Sequence, residues 1–99
     1  MAESMKITVD FVAKKEGKVL IMGGLEYGTI TVGDEVKILS IIGDTKHSVV
    51  NYLAIDKKKN IDTATTGDYI VISLDNVNEG DISKGCVITD PLSDYDFFA

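Results

Sequence analysis

Four glycine-centred turns, each leading into a β-rich run, constrain this chain more than any other feature. They are Gly-Gly-Leu-Glu-Tyr-Gly from Gly23 to Gly28, Val-Gly-Asp-Glu-Val from Val32, Thr-Gly-Asp-Tyr-Ile-Val from Thr66, and Ser-Lys-Gly-Cys-Val-Ile from Ser83. Glycine at 28, 33, 67 and 85 suits turns that need positive φ or close backbone approach, and the β-branched residues after them suit a pleated, half-buried wall. No window sustains a 3.6-residue apolar period, so the chain is read as all-β.

The runs between the turns supply the strands. Met5 to Ala13 alternates, with Ile7, Val9, Phe11 and Ala13 on one side. Lys18 to Met22 is a short apolar run that Gly23-Gly24 is expected to break. Thr29 to Val32, Glu35 to Ile42 and Lys46 to Ile55 come next, the last with faces Ser48/Val50/Tyr52/Ala54 and His47/Val49/Asn51/Leu53/Ile55. Ile61 to Thr66 is weakly extended, Tyr69 to Leu74 is the strongest strand, and Cys86 to Thr89 is the last before Pro91. The segment around Glu79 is a turn or a single helical turn. Six to eight short strands in so few residues predict a small closed antiparallel β-barrel, because closure removes exposed edges. The barrel is assigned to residues 5–91, preceded by an extension over 1–4 and succeeded by an acidic, aromatic tail over 92–99.

At 99 residues the chain reads as one domain. Such a chain buries about two-thirds of its unfolded surface, enough for one core. Its net charge is −6, and all 10 cations are lysine. Without arginine there is no planar fork for phosphate, and without a basic excess there is no footprint for a polyanion, so a nucleic-acid role is disfavoured. The lone cysteine, Cys86, cannot form an intrachain disulfide, which suits a reducing, cytoplasmic setting. No basic-then-apolar leader and no apolar run near ~20 residues is present, so no secretion and no membrane association are expected.

The ordered series Gly23-x₄-Gly28-x-Ile30-x-Val32-Gly33-Asp34-Glu35-Val36-x-Ile38, Thr66-Gly67-Asp68-x-Ile70-x-Ile72-x-Leu74 and Val77…Asp81-Ile82-x-x-Gly85-x-Val87-Ile88 resembles domain 2 of the translational GTPases, such as elongation factor Tu and initiation factor 2. The resemblance runs from about Thr8 to Pro91 and implies the same barrel, here as a free-standing domain. It brings no GTP binding, because no Gly-x-x-x-x-Gly-Lys-[Ser/Thr] phosphate loop and no Asn-Lys-x-Asp occurs. In elongation factor Tu this domain also holds the aminoacyl end of tRNA. Carried over by position, the pocket phenylalanine falls on Phe11, the threonine on Met22 and the asparagine on Tyr69. The acidic position falls near Thr8 or Val9, and the arginine position on Gly24. Most polar pocket residues are thus replaced, and ordinary aminoacyl-tRNA binding is not expected.

The remaining reactive side chains are sparse. His47 has no second histidine to join it, and metal sites need three or four converging ligands. Cys86 reads as a packed small hydrophobe. Lys57-Lys58-Lys59 reads as a solvated loop, and the carboxylates, Asp34 and Asp68 among them, sit at turns where Asx chemistry explains them. No catalytic set, cofactor or metal site is expected, and the chain is read as a non-enzyme. Two regions remain as candidate contact surfaces. One is the face holding Phe11, Met22 and Tyr69. The other is the tail with Tyr95, Phe97 and Phe98, which either frays or docks on the barrel or a neighbour. The expected function is a non-catalytic binding module acting through protein–protein contacts, with a self-associating homodimer as the alternative and an RNA accessory domain behind both. The partner itself is not readable.

Overall fold

The computed structural model describes residues 4–41, 43–55 and 61–93. Eight strands run in order: β1 Lys6–Lys15, β2 Lys18–Tyr27, β3 Thr29–Thr31, β4 Glu35–Leu39, β5 Thr45–Ile55, β6 Thr63–Thr65, β7 Tyr69–Leu74 and β8 Val87–Thr89. A single 3₁₀ turn spans Glu79–Asp81. Six strands close an antiparallel barrel in the order β1-β2-β7-β5-β4-β8, and β3 and β6 form a separate two-stranded ribbon. Among the described residues no helix is long and apolar enough to cross a membrane.

Inward-facing aliphatic side chains fill the barrel. Ile7, Ile21, Leu53, Ile70, Ile72 and Ile88 are all fully buried. The ribbon lies at the end where β2 and β5 finish and β4 and β7 begin. It sends Ile30 and Ala64, which are register partners, into the same core. Its two exits are built alike. At each, a tight turn closes with an aspartate N–H on the carbonyl three residues back, Asp34 on Thr31 and Asp68 on Thr65. The aspartate carboxylate then accepts the N–H of that same threonine, 2.9 Å in both cases. Gly33 (φ 99) and Gly67 (φ 92) supply the left-handed residue each turn needs. The paired Thr-x-Gly-Asp turns amount to a short internal repeat that the sequence reading does not detect.

Three details differ from expectation. Gly23 and Gly24 do not break a strand: β2 runs through them to Tyr27. Gly23, expected at a turn, is a close-approach residue, for a Cβ there would stand 2.2 Å from the Thr8 carbonyl oxygen. The alternation of β1 is also interrupted. The register with β2 shifts between Val9 and Phe11, so Asp10 is the extra residue and the inward face switches from Ile7 and Val9 to Val12. Phe11 therefore points out, 56% exposed. A second shift between Val50 and Tyr52 does the same in β5: Ser48 and Val50 face in before Asn51, Leu53 after it. In both strands a short polar residue, Asp10 or Asn51, occupies the bulge.

The glycine pair provides a clean test. Gly23→Ala forces a methyl group into backbone and is expected to cost about 2 kcal/mol or more, in the range of overpacked core sites. Gly24→Ala meets nothing within 4 Å at a φ open to any residue, and is expected to be neutral or slightly stabilising. Urea unfolding midpoints at constant slope distinguish the two.

Candidate functional site

The bulge at Asp10 builds the most distinctive surface of the molecule. Because it turns Phe11 outward, Phe11 lies directly opposite Met22 on β2, and Met22 in turn is opposite Val71 on β7. Tyr69, two residues before Val71 on the same face of β7, pairs with Gly24. The three positions singled out in the sequence thus share one outer wall of three adjacent strands. Phe11 and Tyr69 are 56% and 49% exposed, a large aromatic area for neighbouring positions.

A hydrogen bond fixes the patch. The Tyr69 hydroxyl donates to Asp10 Oδ2 at 2.9 Å. Tyr69 is on β7 and Asp10 on β1, so the tyrosine reaches across β2. The carboxylate acceptor stabilises the neutral phenol and, helped by partial desolvation and the negative charge of Asp10, holds the Tyr69 pKa above 10.0. Towards the ribbon end the same wall becomes polar: Thr8 donates to the Glu26 carboxylate, and Lys6 pairs with Glu26 at 3.6 Å. The patch is therefore apolar around Phe11 and Met22, anchored by Tyr69–Asp10, and bordered by charge. Asp10 and Val71 were not singled out in the sequence. The only local signal for Asp10 was a poor strand former inside an otherwise regular alternation.

The other candidate groups do not assemble. Cys86 is buried, with Sγ 3.4 Å from the Ser83 amide that donates to it. It lines a cleft of about 740 Å³ at the end of the barrel away from the ribbon, together with Ile38, Ile41, Lys46 and Asp81. Lys46 and Asp81 form an ion pair there at 2.9 Å. The N–H of Asn78 and the Lys46 ammonium hold the Asp81 carboxyl below 3.8. His47 lines a different hollow, with Glu35, Val49 and Asp75. Among the described residues no three His, Cys, Asp or Glu side chains converge as metal ligands. Lys57 to Lys59 and the tail residues Tyr95, Phe97 and Phe98 lie outside the described residues.

No family model matches the sequence. Among solved structures, translation elongation factor SelB from Methanococcus maripaludis, in its apo form, is similar with a TM-score of 0.77 and 23% identity over 90% of this chain. The match covers 19% of the SelB chain, so this chain spans about a fifth of its length. At that identity the likeness is one of fold, and the fold is the translation-factor β-barrel that the glycine series indicates.

The Tyr69–Asp10 bond has a pH signature. The phenol pKa is raised on folding, so the bond's contribution is complete below pH 10.0 and is lost as pH rises through the folded value. Spectrophotometric titration of tyrosinate is expected to show one phenol titrating late. Asp10→Asn is expected to move that phenol, and no other, back towards the ordinary range.

Proposed function

We propose that this chain is a non-catalytic binding module of the translation-factor barrel type. It acts through a protein partner that docks on the outer wall of β1, β2 and β7. The observation that supports this reading most directly is the meeting of Phe11, Met22 and Tyr69 on that wall, with Tyr69 held by Asp10. Exposed aromatic and methionine side chains are the residues that interfaces favour at their centres, with a polar border around them. Here the border is the Lys6–Glu26 pair and Thr8. A tyrosine already oriented by a hydrogen bond loses little side-chain freedom on docking, which favours tight contact.

The chemistry of the wall argues for protein over the end of a tRNA. A phosphate ligand would be met by the carboxylates of Asp10 and Glu26, and the chain carries no arginine to offset them. The counterpart of Asp10 in this arrangement is a donor: a backbone N–H, a lysine or a hydroxyl. An apolar side chain set beside such a donor would complete the fit.

A photo-crosslinking residue at position 22 of the full chain, used with and without ribonuclease, tests the reading. The expected outcome is a discrete protein adduct that survives ribonuclease, whose purified partner binds the chain directly. Against that partner, Phe11→Ala is expected to weaken binding by about tenfold or more, as an interface-centre residue does. An adduct with RNA, or a partner whose affinity is indifferent to Phe11, would overturn it. A homodimer adduct would reassign the wall to self-association.

A further inference from the structure

The wall that carries Phe11 and Met22 continues beyond the barrel proper. Among the described residues, β8 and its lead-in bond to β1 no further towards the hairpin tip than Val9, and β7 pairs with β2 no further than Ile21. The hairpin nevertheless runs on through Val12↔Ile21, Ala13↔Leu20, Lys14↔Val19 and Lys15↔Lys18. It ends as a two-stranded arm with no strand on either side. Val12 and Val19 turn inward and pack on the core. Lys14, on that same inner side, reaches Glu79 of the 3₁₀ turn at 3.7 Å and ties the arm down. Alternation therefore turns Ala13, Lys15, Lys18 and Leu20 outward, on the side of Phe11 and Met22.

The tip of the arm breaks two local rules at once. Lys15 and Lys18 are direct cross-strand partners, and like charges so placed repel. Among the described residues neither has a carboxylate within ion-pairing range to relieve it. The two-residue turn between them puts Glu16 (φ 51) as well as Gly17 (φ 81) in the left-handed region. Asn, Asp or Gly would hold the first of those positions with less strain. A tip selected for hairpin stability alone would carry neither feature, and such departures from local rules concentrate where function sets the sequence. Two facing cations also stand out in a chain of net charge −6. The wall is thus polarised along its length. The Asp10 carboxylate and the Lys6–Glu26 pair lie towards the ribbon, Phe11, Met22, Ala13 and Leu20 fill the middle, and two ammonium groups close the far end. Lys15 lies four positions along β1 from Phe11, roughly 14 Å.

We propose that the occupant of this wall is a peptide segment of a partner protein, apolar where it covers Phe11, Met22 and Leu20 and acidic where it meets Lys15 and Lys18. This assignment rests on the wall being a protein-docking surface and adds the chemistry of its partner. A uniform polyanion matches the tip but is met by carboxylates at Asp10 and Glu26, whereas acids confined to one end of an apolar segment match both ends of the wall. A random-peptide display library selected on the full chain tests it. The peptides recovered are expected to place acidic residues to one side of aromatic or aliphatic ones. Lys15→Gln with Lys18→Gln is expected to weaken a synthetic copy of such a peptide by about fivefold at low salt and to flatten its salt dependence, because exposed charges act through screened attraction. Phe11→Ala is expected to weaken it by about tenfold. Both changes fall at exposed positions, and a circular dichroism spectrum equal to that of the parent chain shows that the barrel is kept. Peptides without acidic enrichment, or with equal affinity for the lysine variant, overturn the proposal; if they still lose affinity with Phe11→Ala, the docking wall stands without its basic end. Peptides that need the lysines but are indifferent to Phe11 overturn the wall, and the proposal with it. Tighter binding of poly(U) RNA than of any recovered peptide overturns the proposal and assigns the tip to a polyanion. A library that yields no binder also overturns it, and leaves the wall to the crosslinked adduct at position 22.

Discussion

Closure of the barrel through β8 is the constraint on which the other features depend. Only three residues, Val87–Thr89, bridge β1 and β4, and without them both neighbours would present open edges. So short a strand offers few ladder bonds, and the structure supplements them from either side. Before β8, Gly85 and Cys86 bond to both backbone groups of Val9. After it, the Asp90 carboxylate accepts the buried Met5 amide at 3.2 Å, which joins the two ends of the described chain. The Val9 contacts fall just where β1 bulges, so the residue that seals the barrel and the residue that aims Phe11 outward are adjacent. Closure and the exposed wall are consequences of the same local geometry.

That coupling explains what the sequence could and could not convey. Strand existence followed from composition and glycine placement, since Val36, Ile38, Ile70 and Ile72 can bury their side chains in only one way once the turns at Gly33 and Gly67 are set. Facing did not follow, because alternation carries no mark of an inserted residue. Reading Phe11 with Ile7 and Val9 is correct for an unbroken ladder and fails by one residue at Asp10. The same slip at Asn51 exchanges the faces of β5. Gly23 misled for a related reason: a glycine required by the approach of the Thr8 carbonyl looks identical, in sequence, to one required by φ. The patch was partly legible, since Phe11, Met22 and Tyr69 were singled out by position. Its anchor, Asp10, was not, because a contact across an intervening strand depends on sheet order and not on local pattern.

The Thr-x-Gly-Asp turns show how the fold distributes its polar residues. Each aspartate satisfies a backbone amide at a point where the chain leaves the ribbon and enters the barrel. Buried or turn-bound amides without partners are costly, so these carboxylates serve the scaffold. Asp75 also serves the scaffold, its carboxylate accepting from the Asn51 side-chain amide at the second bulge and its backbone carbonyl accepting from the Ser48 hydroxyl. A chain with 16 acidic residues therefore commits several of them to architecture. Its charge is a poor guide to what it binds.

Asp10 differs in kind from those aspartates. It caps no turn; its partner is a tyrosine on another strand, and both groups stand at the surface. A solvent-facing side-chain hydrogen bond contributes little to folding, because water competes for both partners. Its effect is on orientation: it fixes the edge of an aromatic ring on the wall that carries Phe11 and Met22. Gly23 contributes to the same region from within, admitting the Thr8 carbonyl oxygen where a Cβ would stand 2.2 Å from it. A residue that looks like flexibility in the sequence is thus, in the folded chain, a point of close backbone contact beside the exposed Phe11 and Tyr69.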